Sequence, residues 1–215
     1  MAKKADVMRV ISLLPEEQAN SIARNVREQD RMLRLLARLM LAQAVFFLEG
    51  RACADTLGAL ITLPLGRPEL PDGKWKFSFS HSQNLAVCLI GSAKRYGRLG
   101  VDVEAWRDLR PEDIAPAFCP EEHRYLAEAI DDLERQRRLF DLWTRKEAVL
   151  KANGTGLLLN PAEVNMCSAI PLPAMPKLSV RNIAAAQFAG YSLAFALEGR
   201  TASVEIIRIT EVNPD

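Results

Sequence analysis

A mixed α+β fold is predicted by three features of the 215-residue chain. Apolar residues recur at helical spacing over 30–50 and over 133–152; short β-favouring runs fill 75–105; strand-like runs return after 177. Taken in order, Val7–Leu14 alternates loosely and reads as a strand. Pro15-Glu16-Glu17 starts a helix, with proline in the first turn and acids at the positive end. Asp30 is an N-cap and Gly50 a stop for the next helix, whose apolar stripe is Leu33, Leu36, Leu39, Met40 and Val45. Pro64, Gly66, Pro68, Pro71 and Gly73 mark 63–74 as a long loop. Trp75–Ser80 and Leu85–Ile90 read as a hairpin around His81-Ser82-Gln83-Asn84, and Leu99–Ala105 as the next strand. Helices are expected over Pro120–Ile130 and Leu133–Ala152, the second stopped by Asn153-Gly154. Tail strands are expected at Lys177–Val180, Tyr191–Leu197 and Ser203–Thr210.

Composition is that of an ordinary soluble protein, 49% hydrophobic and 26% charged, enough for one large core or two small ones. A net charge of +1 gives no whole-molecule attraction to nucleic acid. Cys53, Cys88, Cys119 and Cys167 are scattered, without a C-x-x-C pair and with only two histidines, so reduced buried thiols are expected rather than zinc. No signal-peptide core and no apolar run of about 18 residues is present, so neither export nor a membrane is expected. The cytoplasm and a monomer are the expectation.

Two segments carry chemistry. In Gly100-Val101-Asp102-Val103-Glu104 the two acids are two apart on a strand and face one way, while Val101 and Val103 put the other face in a core. Adjacent carboxylates repel unless a cation joins them; the plain alternative is the solvent face of an edge strand. In Trp143–Lys151, Glu147 and Lys151 are four apart and share a helix face with Trp143. A surface ion pair worth about 0.2–0.5 kcal/mol is the alternative there. Three carboxylates and an ammonium are a set that holds Mg²⁺ on a diphosphate while a proton moves. Arg31, Arg34 and Arg38 fall at i, i+3 and i+7; Arg31 sits at a helix start, where a cation is disfavoured unless an anion arrives. Ser80 and His81, at a strand end, are able to donate to phosphate oxygens, whereas His123 reads as an exposed helix residue.

Read together, Gly100–Glu104 and Trp143-Thr-Arg-Lys-Glu-Ala-Val-Leu-Lys151 resemble the paired signature of the 4′-phosphopantetheinyl transferases, in particular the larger surfactin-synthetase-activator type. Gly66-Arg67-Pro68, Phe77-Ser-Phe-Ser-His-Ser82 and Lys151-Ala-Asn-Gly-Thr-Gly-Leu157 match further family segments in order, so the resemblance covers about 30–160. It implies a pseudo-dimer of two similar α/β halves, 1–110 and 111–215, with the active site between them. A faint likeness of Asn84–Gly91 to Tyr191–Gly199 would accord with that, though two buried strands also resemble each other by chance.

The resemblance further implies transfer of 4′-phosphopantetheine from coenzyme A to a serine of an apo acyl or peptidyl carrier protein. Asp102, Glu104 and Glu147 would hold Mg²⁺, and Lys151 would reach a diphosphate oxygen. Glu147, or a metal-bound water beside it, would take the serine proton. Arg34, Arg67, Ser80, His81 and Lys151 would contact coenzyme A, with Arg34 on the 3′-phosphate. Lys146 lies about 100° around the helix and has a supporting place only. Trp106, Arg107, Leu109, Arg110, Ile114, Phe118 and Arg124 offer a mixed basic and apolar surface to an acidic carrier, or else a linker packed on its own domain. A Mg²⁺-dependent nucleotide phosphohydrolase and a non-catalytic coenzyme A- or carrier-binding module are the rival readings.

Overall fold

The computed structural model describes residues 4–106, 111–154, 159–167, 178–184, 188–199 and 204–206. Residues 7–14, expected as a strand, lie mostly in helix α1 (Lys4–Ser12). Val7, Val10, Ile11 and Leu14 stand at i, i+3, i+4 and i+7, so the run also satisfies a helical period, and tertiary burial decides between the two. Val10 and Leu14 are buried, Val7 and Ile11 pack against the same cluster, and Met8 points out.

Helix α2 (Glu16–Ala23) begins after Pro15, as expected. Helix α3 (Glu28–Glu49) is capped at Arg27 rather than Asp30, which sits in its first turn. It ends where Gly50 takes the left-handed conformation that lets the chain leave the helix. A short helix α4 (Cys53–Gly58) follows, unforeseen in the sequence. The 63–74 loop carries one small antiparallel pair at its edges, β1 (Ile61–Thr62) with β2 (Pro68–Glu69).

The expected hairpin forms from β3 (Trp75–Ser82) and β4 (Leu85–Ser92), in register from Trp75↔Ser92 to Ser82↔Leu85. Its tight turn uses Gln83 at φ 48, and Gln29 of α3 clamps it by donating to Gln83 O at 2.8 Å and Asn84 Oδ1 at 2.6 Å. Leu41, Ala42, Val45, Leu57, Leu70 and Phe77 centre the core between these helices and the hairpin.

Strand β5 (Leu99–Ala105) leads to α5 (Pro111–Ile114), a 3₁₀ turn (Ala115–Ala117), α6 (Pro120–Ala127) and α7 (Asp132–Asn153). Gly154, left-handed, stops α7 as predicted. Strands β6 (Leu178–Asn182) and β7 (Tyr191–Glu198) complete a three-stranded antiparallel sheet in the order β5-β7-β6. The tail strand expected at 203–210 falls outside the described residues except for 204–206, which are in no strand. Main-chain pairing thus joins β5 to β7, across the expected boundary at 110. β4 is paired to β3, while β7 is the centre of the second sheet.

Helix α7 lies across β5 and β7. Ala148, Val149 and Ala152 meet Ala194 and Ala196, small residues that allow the approach. Gly100 allows more. A Cβ built there would stand 2.1 Å from Ala148 O and 2.5 Å from Ala152 N, inside a hydrogen-bonding step of the helix. Only a residue without a side chain admits α7 this close to β5.

Candidate active site

The close approach sets Glu147 and Lys151 of α7 over the acids of β5. Val101 and Val103 are buried against Leu85, Val87 and Leu193, so Asp102 and Glu104 take the opposite face, as alternation requires. That face is not a solvent face: Asp102 is buried and Glu104 half-buried beneath the helix. The expected stripe Trp143–Glu147–Lys151 is half-buried throughout and lines a cavity of about 530 Å³. Asp102, Glu104, Ser80, His81, Arg34 and Arg67 line the same cavity. The eight residues expected to hold the metal or coenzyme A therefore line one space.

Lys151 Nζ donates to Asp102 Oδ1 at 2.6 Å and to Ser80 Oγ at 3.0 Å. Ser80 Oγ also donates to Asp102 Oδ1 at 2.8 Å and accepts Val103 N–H at 3.2 Å. One donor and two acceptor sites are thereby used, and the hydroxyl holds an acid and an ammonium rather than pointing into the cavity. Burial and the charge of Asp102 push Glu104 up to about 7, against the lowering effect of Ser82 and Lys151. The same two causes, burial first, raise Glu147. Burial lowers His81, and the nearby Arg34 lowers it further.

Among the described residues, no three of His, Cys, Asp and Glu stand close enough to form a metal cage by themselves. The donor set nonetheless fits a hard cation. Asp102 Oδ2 and Glu147 Oε1 are buried and have no hydrogen-bond partner, an arrangement that costs free energy unless a positive ligand reaches them.

The cationic wall comes from α3. Arg34 lines the cavity with its Nε buried and unpartnered. Arg38, buried beside it, donates from Nε and Nη2 to Gln18 Oε1 at 3.0 and 2.7 Å. Gln18 in turn donates to Thr62 Oγ1 at 2.6 Å. Burial, with Arg34 adding to it, lowers the Arg38 guanidinium to about 10. Arg31 turns away, donating to Asn25 O at 3.0 Å and to Val26 O at 3.5 Å, which answers its place at a helix start without an external anion. Arg67 sits in the turn made by left-handed Gly66 and reaches the carboxyl end of α7 at Gly154.

Lys146 belongs elsewhere. Fully buried, it pairs with buried Glu122 at 2.7 Å and donates to Pro161 O at 2.9 Å and Val164 O at 2.5 Å. Glu122 also accepts Cys119 N–H at 2.9 Å and Met166 N–H at 2.8 Å, so the pair ties α6, α7 and residues 161–166 together.

The expected carrier surface needs correction at its apolar members. Ile114 and Phe118 are buried with Leu126, Leu139, Phe140 and Leu142, because the short helix α5 turns its apolar side onto α7. Trp106 is half-buried and its indole donates to Ser192 Oγ at 3.1 Å. Arg107, Leu109 and Arg110 lie outside the described residues, and Arg124 and His123 are exposed. Of the four thiols, Cys53 and Cys119 are buried, Cys88 is half-buried and Cys167 is exposed, contrary to the expectation of burial for all. No helix among the described residues is long and apolar enough to cross a membrane.

The sequence reading passed over three contributors to the site: Gly100, Gln18 behind Arg38, and Ser82. For Ser82 a signal was present. Ser78, Ser80 and Ser82 alternate along β3 and so share one face.

Residues 98–194, the span holding Asp102, Glu104, Glu147 and Lys151, match the family model of the 4′-phosphopantetheinyl transferase superfamily. The chain is similar to the 4′-phosphopantetheinyl transferase HetI of Nostoc sp., 37% identical over 38% of this chain and 33% of that protein. It is also similar to slr0495 of Synechocystis sp., 33% identical over 68% of this chain and 59% of that protein. The 4′-phosphopantetheinyl transferase Sfp of Bacillus subtilis is 32% identical over 43% of this chain and 38% of its own length. The chain thus spans between 33% and 59% of the length of these curated relatives.

Proposed function

We propose that the chain catalyses Mg²⁺-dependent transfer of 4′-phosphopantetheine from coenzyme A to the serine hydroxyl of an apo acyl or peptidyl carrier protein. The observation that carries this reading is the convergence of Arg34, Arg67, Ser80, His81, Asp102, Glu104, Glu147 and Lys151 on one cavity, two of its carboxylates keeping an unpartnered buried oxygen. The names of the relatives HetI and Sfp support it.

In the reaction, the carrier serine Oγ forms a bond to the phosphorus nearer the pantetheine, the phosphorus–oxygen bond of the diphosphate breaks, and 3′,5′-ADP leaves. Asp102, Glu104 and Glu147 would hold Mg²⁺. When bound, the ion neutralises charge on the diphosphate. Arg34, with Arg38 beside it, receives the 3′-phosphate; Arg67 and His81 flank the nucleotide. Lys151 moves from Asp102 to a diphosphate oxygen and stabilises charge that develops on the leaving group. Glu147, raised by burial and by Asp102, accepts the serine proton. Positioning and electrostatics supply most of the acceleration.

The same reading takes 1–110 and 111–215 as the halves of a pseudo-dimer with the cavity between them. Its support is that each part supplies one long helix laid on antiparallel strands: α3 on β3–β4 of its own part, and α7 on β7 of its own part and on β5, which comes from the first.

Incubation of an apo carrier protein with the chain, coenzyme A and Mg²⁺, followed by mass spectrometry, tests the proposal. A mass gain of one phosphopantetheinyl group, absent with a chelator, is expected. An unchanged carrier together with coenzyme A hydrolysis would replace the transferase with a phosphohydrolase. An unchanged carrier with intact coenzyme A would replace it with a binding module.

A further inference from the structure

Strands β3 and β5 lie side by side, yet no main-chain ladder joins them among the described residues. Serine side chains join them instead. Ser78 Oγ accepts Val101 N–H at 3.2 Å, Ser80 Oγ accepts Val103 N–H at 3.2 Å, and Ser82 Oγ accepts Ala105 N–H at 3.0 Å. The partners advance together, so the two strands run parallel along this seam. Each hydroxyl accepts an N–H that a main-chain carbonyl would accept in an ordinary sheet.

The seam fixes hydroxyl direction. A serine oxygen that accepts a backbone N–H still has one proton to give, and a carboxylate in the ionised form needed to hold a cation is able only to accept. Ser82 Oγ lies 3.1 Å from Glu104 Oε2, so its proton goes there. Ser80 does the same for Asp102. Ser78 makes the identical seam contact at Val101, a residue with no carboxylate. Ser82 is buried, so water does not replace its bond to Glu104 without rearrangement.

We propose that Ser82 is a positioning residue for Glu104: the Ala105 N–H orients its hydroxyl, and the hydroxyl sets the direction in which the Glu104 carboxylate faces the cavity. The inference rests on the reading above that Asp102, Glu104 and Glu147 hold a divalent cation. Groups that orient a metal-ligating carboxylate are worth roughly 10–100-fold in metal affinity. Ser78 is the internal control, because its loss removes the same seam contact and orients no acid.

Ser82→Ala, Ser82→Thr and Ser78→Ala are compared with wild type by isothermal titration of Mg²⁺ in saturating coenzyme A, by urea unfolding, and by crystal structures without ligands. Ser82→Ala and Ser78→Ala should lose similar stability. Only Ser82→Ala should lose Mg²⁺ affinity, about 10–100-fold, with coenzyme A affinity in chelator unchanged. Ser82→Thr should restore the metal affinity, and the Glu104 carboxylate should be displaced in Ser82→Ala alone. Equal Mg²⁺ affinities for Ser82→Ala and Ser78→Ala, with Glu104 undisplaced in both, would overturn the inference. Were wild type to take up no Mg²⁺ with coenzyme A, the cation reading would fail. Positioning would then be decided by the Glu104 side chain, displaced only in Ser82→Ala if the inference holds and unmoved if it does not.

Discussion

Replacing Gly100 with alanine should unseat the whole site through one methyl group. The added Cβ would lie 2.1 Å from Ala148 O and 2.5 Å from Ala152 N, both backbone atoms of α7, so no side-chain rotation relieves the clash. Reaching the ~3.5 Å at which carbon contacts become favourable requires α7 to withdraw from β5 by about 1.4 Å. Glu147 and Lys151 ride on that segment, and the 2.6 Å contact of Lys151 with Asp102 does not survive such a shift. Overpacking of a close-packed interior costs about 1–3 kcal/mol, and here the upper end applies because the obstacle is a helix backbone. A misplacement of about 1 Å in a catalytic group costs roughly 100-fold in rate. Gly100→Ala should therefore remain folded, unfold at lower urea with a loss near 3 kcal/mol, and modify an apo carrier at least about 100-fold more slowly. Urea titration followed by circular dichroism gives the first quantity, and timed mass spectrometry of the carrier the second. A stability loss under about 0.5 kcal/mol, the range of an inconsequential surface change, would refute the close approach of α7 to β5 and with it the argument for how the acids meet.

Three further outcomes are expected. Arg34→Ala should weaken coenzyme A binding by about 1–3 kcal/mol, the worth of a hydrogen bond to a charged group, while dephospho-coenzyme A binds mutant and wild type alike; equal losses for both ligands in calorimetry would place Arg34 away from the 3′-phosphate. Glu147→Gln should bind coenzyme A normally while single-turnover transfer falls about 10²–10⁴-fold; restoration of the rate by added Mg²⁺ would make Glu147 chiefly a ligand. Lys146→Met strands the buried Glu122 carboxylate and should destabilise by about 3–5 kcal/mol in urea unfolding, whereas a loss below about 1 kcal/mol would mean that water reaches the pair.

Much of the fold was legible because its signals are local. Gly50 and Gly154 stop their helices as read, both in the left-handed conformation that glycine adopts without a steric penalty. The hairpin and β5 follow from alternation. Val7–Leu14 was misread because eight residues with apolar groups at 7, 10, 11 and 14 satisfy a strand and a helix loosely alike. Only packing against Leu57, Leu60 and their neighbours selects the helix. Ile114 and Phe118 looked available to a partner, since nothing near them in sequence says that Leu139 and Leu142 will cover them.

The site divides the same way. That Asp102 pairs with Glu104 on one face, and Glu147 with Lys151 on another, was determined by the sequence alone, because the periods of strand and helix are properties of the backbone. Which faces meet was decided by tertiary structure. Lys146, adjacent to Glu147, goes to Glu122 because one residue is about 100° of helix; Lys151 goes to Asp102 because Gly100 has no side chain to hold α7 away. Ser82 shows the limit most directly. Its place on the face of β3 is written in the alternation of three serines, but its bonds to Ala105 and Glu104 exist only once two distant strands lie side by side. Contacts between residues far apart in the chain depend on how whole elements pack, and no local period encodes that.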